Sequence, residues 1–178
     1  MRIVAGTARG RRLAAPEGAD TRPTGDKVRG AIFNVLGQFF EGGRVLDLYA
    51  GTGALALEAL SRGCERATCV ESSPEAGRRL LANAEACGLA ARVELLRRRV
   101  EDALPGLPAG AFDLVFLDPP YAEGPEGALA SLVRVLAPGA RVVAEHDDRH
   151  PPPERLPGLR RVDRRRYGGT GVSIYQAG

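Results

Sequence analysis

From Arg44 onward the chain alternates short apolar runs with amphipathic stretches, and this alternation constrains the fold more than any other feature. Residues 44–49, 66–71, 92–97, 112–117 and 140–145 read as strands. Residues 53–62, a segment from Ser73 to Gly88, and residues 101–106 and 125–136 read as the helices between and after them. Ser73-Pro74-Glu75 is a strong helix start: a cap, a proline in the first turn, then an acid near the positive end of the dipole. Five β-α repeats with short connections specify a parallel sheet covered by helices on both faces. Pro151-Pro152-Pro153 breaks the pattern, and residues 160–167 and 171–175, joined by Gly168-Gly169-Thr170, read as a terminal hairpin. The expected fold class is α/β: a Rossmann-like sheet, mainly parallel, with an antiparallel C-terminal hairpin and a small N-terminal extension.

The N-terminal extension has a different character. Ile3–Val4 and Arg11–Leu13 suit short strands around Gly6 to Gly10, and Arg22-Pro23-Thr24 suits a stop followed by a helix cap. Val28, Ile32, Val35, Leu36 and Phe39 then recur at spacings of three and four, which predicts an amphipathic helix over 25–39, ended by Glu41-Gly42-Gly43. Two parts are expected: residues 1–43 as an arm and helix, and residues 44–178 as the main domain. A chain of 178 residues has no room for a further domain.

Charge is segregated. Residues 1–29 carry +4, residues 151–178 carry +4, and the whole chain carries +3, so the middle is acidic. Basic ends on an acidic body fit a polyanion gripped at the ends. Only Lys27 is a lysine, so arginine-rich coding explains the number of arginines but not their placement. Cys64, Cys69 and Cys87 lack zinc-ligand spacing and read as reduced core residues. With no apolar run near membrane length and no signal-like N-terminus, a cytoplasmic monomer is expected.

Gly51 and Gly53 sit on the turn after the first strand, where an open α/β sheet binds ligands. Glycine lets the backbone approach a ligand, and the helix start behind it offers free N–H groups. Asp47 is placed to attract an ammonium or sulfonium charge, and Ala50, Gly51, Thr52 and Gly53 form the turn itself. Glu71, ending the second strand, suits a pair of ribose hydroxyls; Glu101 and Asp102, after the third, suit an adenine amino group. These features fit S-adenosylmethionine. They also fit a nicotinamide cofactor, because Gly51-Thr-Gly53-Ala-Leu-Ala56 matches G-x-G-x-x-A with Glu71 twenty residues on.

Asp118-Pro119-Pro120-Tyr121, at the end of the fourth strand, favours the first cofactor. An exocyclic amine on a nucleobase is a poor nucleophile because its lone pair is delocalised. A carboxylate from Asp118 and the carbonyl of Pro119 can accept its two hydrogens and favour a transition state approaching sp³ nitrogen. Pro119 and Pro120 stiffen the loop and carry no competing N–H. Tyr121 offers a face for the base to stack on. In-line attack needs no metal, and none is expected. A ring-carbon acceptor is disfavoured because no cysteine lies near residues 118–121.

Val45-Leu-Asp-Leu-Tyr-Ala-Gly-Thr-Gly-Ala-Leu-Ala-Leu-Glu-Ala-Leu-Ser-Arg-Gly63, Val70-Glu71, Asn83 and Asp118-Pro-Pro-Tyr121 resemble the RsmD family of 16S rRNA (guanine-N2)-methyltransferases. Arg2-Ile-Val-Ala-Gly6, Arg9-Gly-Arg-Arg-Leu13, Arg22-Pro-Thr-Gly-Asp-Lys-Val-Arg29, Ile32-Phe-Asn34 and Tyr167-Gly168 are similar to the same family, so the resemblance covers nearly the whole chain. It implies the class I methyltransferase fold, S-adenosyl-L-methionine as cofactor, and one guanine of 16S rRNA in the small ribosomal subunit or its assembly intermediate as substrate. Asp118 and Tyr121 inherit the catalytic role, and the glycines and Glu71 the cofactor role. Arg9, Arg11, Arg12, Arg22, Lys27 and Arg29 are the expected RNA contacts. On this view, removing residues 1–21 spares cofactor binding and abolishes RNA methylation. The alternatives are a DNA adenine or cytosine amino methyltransferase, a protein side-chain amide methyltransferase, a nicotinamide-dependent oxidoreductase and a non-catalytic RNA-binding protein. The last two leave Asp118–Tyr121 without a role.

Overall fold

The computed structural model describes residues 1–16 and 23–178, apart from the side chains of 23 and 24. Five strands run parallel: β1 (Arg44–Leu48), β2 (Arg66–Val70), β3 (Val93–Leu96), β4 (Phe112–Leu117) and β5 (Leu136–Asp147). Three more complete the sheet: β6 (Arg155–Leu156), β7 (Leu159–Tyr167) and β8 (Thr170–Ala177). The strand order is β3-β2-β1-β4-β5-β8-β7-β6, with β8 antiparallel to β5 and β7 antiparallel to β8.

Burial follows the pleat. Val45 on β1 belongs to the core of one face with Phe33, Leu57 and Phe116, whereas Leu46 and Leu48 belong to the other with Leu117, Leu129 and Tyr175. Both faces are covered, which is why the parallel strands read as continuous apolar runs rather than alternating ones.

The helices are α1 (Pro23–Leu36), α2 (Ala54–Ser61), α3 (Pro74–Ala86), α4 (Val100–Ala103) and α5 (Glu126–Ser131). Ser73 caps α3 by accepting from the Ala76 amide, and Gly88, at φ +70°, terminates it while the Leu89 amide returns to the Ala84 carbonyl.

Several expected boundaries move. Helix α1 begins at Pro23, a position proline tolerates, so Thr24 falls inside the first turn rather than before it. It stops at Leu36 because Gly37 adopts φ +108°, and Phe39, assigned from periodicity to the apolar face, is 66% exposed. The expected helix over 125–136 contracts to α5 and a 3-10 turn, and β5 begins at Leu136.

The N-terminal arm folds onto the same core. The Ile3 amide donates to Arg11, Gly10 to Ile3 and Leu13 to Met1, closing a small hairpin whose Ile3, Ala8 and Leu13 are buried. Glu58 on α2 is fully buried; its carboxylate accepts from the amides of Val4 and Ala5 at 2.9 and 3.0 Å and pairs with Arg62 at 2.8 Å. At Gly6 the hairpin lies so close to α2 that a Cβ would stand 1.8 Å from the Ser61 carbonyl oxygen.

Candidate active site

The strand order reverses direction between β1 and β4, so a crevice opens above their carboxyl ends. Four chain segments end there. β1 delivers Asp47 and Tyr49, β2 delivers Glu71, β4 delivers Asp118, and β5 delivers Glu145.

The glycine turn is held from both sides. The Gly51 amide donates to one oxygen of Glu71 at 2.8 Å, and the Ser73 amide donates to the other at 2.8 Å. The Ala50 amide donates to Val70, and the Gly53 amide returns to the Ala50 carbonyl. Gly51 adopts φ +55° with open space where a Cβ would point, so its bare backbone faces the crevice. Gly53 has a packing reason: at φ +78°, an added Cβ would stand 2.8 Å from Leu80. Asn83 on α3 donates to the carbonyls of Thr52 and Ala14 and accepts from the Ala14 amide, which ties the arm to the turn.

Asp47 is buried and accepts the Ala56 amide at 3.3 Å, capping the start of α2. Desolvation, reinforced by Asp118 and Glu71, pushes its carboxyl up to about 8 against the pull of the Ala56 amide. The side chain of Asp118 opens on the crevice, yet the protein around its base desolvates it and raises it to about 6. An acidic, partly desolvated floor of this kind suits a cationic ligand.

Two cavities meet at Asp118. One, of about 290 Å³, is lined by Glu71, Ser72, Arg98, Arg99 and Glu101 together with Tyr49, Asp118 and Pro120. The other, of about 1440 Å³, is lined by Gly51, Thr52, Pro119, Tyr121 and Glu145 and shares Tyr49, Asp118 and Pro120 with the first. Tyr49, Asp118 and Pro120 thus stand at the junction. Glu101 lies in the smaller cavity beside Arg99, with which it pairs; Asp102 is exposed and does not line it.

Tyr121 is 64% exposed, and its hydroxyl lies 3.1 Å from the Thr170 hydroxyl at the tip of the β7–β8 hairpin. Tyr167, Gly168 and Gly169 of the hairpin line the same crevice, as do Met1 and Pro16 of the arm.

The basic residues divide. Arg9, Arg11, Arg12 and Lys27 are exposed or partly so. Arg22 lies outside the described residues. Arg29 does not join an exposed basic surface: it is 4% exposed, donates to the Arg2 carbonyl, and pairs with Asp26 at 3.1 Å and Glu58 at 3.5 Å. Its helix packs inward at that position, and the side chain lines the large crevice.

Sequence reasoning missed three site residues. Tyr49 is the one non-glycine residue with positive φ (+67°) among those described, and nothing in its type announces it. Glu145 carried a readable signal, an acid closing an apolar strand like Asp47 and Glu71. Thr170 reaches the site only through the hairpin's fold. Cys64 and Cys69 are buried with thiols raised by desolvation, Cys64 to about 12, so neither offers a thiolate. Among the described residues no group of three metal-ligating side chains converges, and no helix is long and apolar enough to cross a membrane.

Known proteins share this architecture. The family model described as Conserved hypothetical protein 95 matches residues 1–176. YlbH of Bacillus subtilis, provisionally named an rRNA methyltransferase, is 40% identical over 99% of this chain and 98% of its own. Ribosomal RNA small subunit methyltransferase D of Escherichia coli K12 is 38% identical over 70% of this chain and 62% of its own. A solved Escherichia coli structure provisionally described as a methyltransferase superposes with a TM-score of 0.82 at 27% identity, over 99% of this chain and 97% of that one. The fold is that of the class I methyltransferases.

Proposed function

The chain belongs to the family described as Conserved hypothetical protein 95, and from that premise we propose that it transfers a methyl group from S-adenosylmethionine to the exocyclic N2 of a guanine in 16S rRNA of the small ribosomal subunit. One observation carries the reading. Asp118 and Pro120 stand where the Glu71-lined cavity opens into the Tyr121-lined crevice, so a donor in the first and a base in the second would meet at the diproline corner.

The residues present fit the donor. Glu71 keeps lone pairs for ribose hydroxyls after accepting from Gly51 and Ser73, the open side of Gly51 leaves room for a ligand, and Asp47 faces the crevice with a carboxyl that a positive charge would stabilise. Glu101, which lines the same cavity as Glu71, would meet the adenine amino group. Bound there, S-adenosylmethionine supplies a methyl group activated by its sulfonium.

On the acceptor side, Asp118 accepts one N–H of the amine and the Pro119 carbonyl the other, so the nitrogen lone pair turns out of the ring plane. Successive prolines keep both acceptors in place. Tyr121, steadied by Thr170, stacks on a base that has left its helix. Asp118 takes the amine proton as the new N–C bond forms, which its raised pKa assists. Arg9, Arg11, Arg12 and Lys27 contact phosphates and position the RNA without reading sequence.

The test is nucleoside mass mapping of unmodified small subunits incubated with the protein and S-adenosylmethionine. N2-methylguanosine at one 16S rRNA position is the expected product. Methyl groups on adenine or cytosine alone, or none, would overturn the assignment. A companion melt separates the cofactors: S-adenosylhomocysteine raises the melting temperature and NAD leaves it unchanged.

A further inference from the structure

Five acids line the large crevice: Asp47, Asp118, Glu145, Asp147 and Asp148. Three have partners. Asp47 accepts the Ala56 amide, Asp147 pairs with Arg149 at 2.8 Å, and Asp148 pairs with Arg164 and Arg166, each at 2.9 Å. Among the described residues, Asp118 and Glu145 have no such partner, and they are neighbours. The β4–β5 register pairs Leu117 with Ala144, so the residues one step on, Asp118 just past β4 and Glu145 still within β5, are neighbours at a strand spacing of about 4.8 Å. Glu145 is half-buried within β5, between buried Ala144 and His146 and paired with Val172 on β8.

Two unpartnered carboxylates on adjacent strands repel each other, and burial together with Asp118 and Asp47 pushes Glu145 up to about 8. Such an arrangement becomes favourable when a ligand presents two hydrogen-bond donors side by side. The nucleobases differ at this point. In guanine the N2 amine adjoins N1–H, a second donor. In adenine the N6 amine adjoins N1, and in cytosine the N4 amine adjoins N3; both ring atoms are acceptors. An ionised carboxylate is acceptor-only. The two base donors and the positive charge of the bound methyl donor compensate the repulsion and favour the ionised pair.

We propose that Glu145 accepts the ring N1–H of the target guanine while Asp118 holds the adjacent N2 amine, making Glu145 the residue that selects guanine over adenine and cytosine. This rests on the guanine reading above. Adenine or cytosine would set a ring lone pair against Glu145, and with the carboxylate kept ionised by the cationic methyl donor an acceptor would face an acceptor, which is a ground for rejection.

2-Aminopurine tests the idea, because it keeps the 2-amino group and replaces N1–H with a lone pair. Small subunits are reconstituted with 16S rRNA carrying either guanine or 2-aminopurine at the methylated position, and kcat/KM is measured for wild type, Glu145→Gln and Glu145→Ala. Wild type should prefer guanine by at least about 100-fold, and the variants should lose guanine turnover and narrow that preference at least about tenfold. A melting shift with S-adenosylhomocysteine equal to that of wild type identifies a folded variant, and Glu145→Ala adds no new polar group should Glu145→Gln misfold. Equal wild-type use of both bases, or an unchanged preference in folded Glu145→Ala, which has no side-chain acceptor, would overturn the role of Glu145 while leaving guanine methylation intact. A wild-type enzyme that methylates no guanine would overturn the function proposed above and this inference with it.

Discussion

The Glu71 carboxylate accepts the Gly51 amide at 2.8 Å, which joins the ends of β1 and β2 before any ligand arrives. Its other oxygen holds the Ser73 amide, so one side chain shapes the glycine turn and the approach to α3. Glu71→Ala should therefore do two things. Losing two charge-assisted bonds should cost about 2 kcal/mol and lower the melting temperature by roughly 4–8 °C. Calorimetric affinity for S-adenosylmethionine should fall as well; an unchanged dissociation constant would remove the ribose role.

Asp118→Ala should reduce kcat at least about 100-fold while cofactor affinity persists, because the side chain acts on the amine rather than on the donor. In wild type desolvation raises the carboxyl to about 6, and only its ionised form can take the amine proton. The rate of methyl transfer to small subunits should accordingly climb as pH rises through about 6. A flat profile across that range would argue for another group.

The arm needs a gentler test than removal. Deleting residues 1–21 takes away Ala14, which Asn83 binds together with Thr52 of the glycine turn, so cofactor affinity should fall along with RNA methylation. Replacing the exposed Arg9, Arg11 and Arg12 with glutamate leaves Ile3, Ala8 and Leu13 docked. RNA affinity should drop and its logarithmic salt slope flatten by roughly two to three, with cofactor affinity unchanged. A slope equal to wild type would move the RNA contacts elsewhere.

Asp47 links the site to stability. Its folded-state value near 8, against 3.8 for an isolated aspartate carboxyl, means the native state holds a proton that the unfolded chain releases. Stability from this group is complete at low pH and declines as pH rises from about 4 through about 8. Glu145, also near 8, acts in the same direction. Asp147 is depressed by Arg149, so its influence is confined to strongly acidic solution. The ligand-free protein should melt lower at about pH 8.5 than at about pH 6, and Asp47→Asn should flatten the difference. A melting temperature that climbs across this interval in the ligand-free protein would contradict the buried-acid account.

Local chemistry made much of the architecture readable. Apolar runs named the five parallel strands, Ser73-Pro74-Glu75 marked the start of α3, and the glycine turn and diproline corner marked two segments that line one crevice, because caps, turns and periodicity act over a few residues. Local signals failed where distant burial decides. Phe39 continued the periodicity of α1 but lies beyond the stop at Gly37, and Arg29 resembled its exposed basic neighbours until Glu58 drew it inward.

Taken alone, the sequence determined the order of elements and the two motifs, since short-range sterics and hydrogen bonding dictate both. Tertiary structure decided what meets what. The β4–β5 register set Glu145 beside Asp118, the hairpin carried Thr170 to Tyr121, and buried Glu58 clamped the arm onto α2. Those pairings join residues tens of positions apart, and only the simultaneous burial of both sheet faces chooses among the partners each one has.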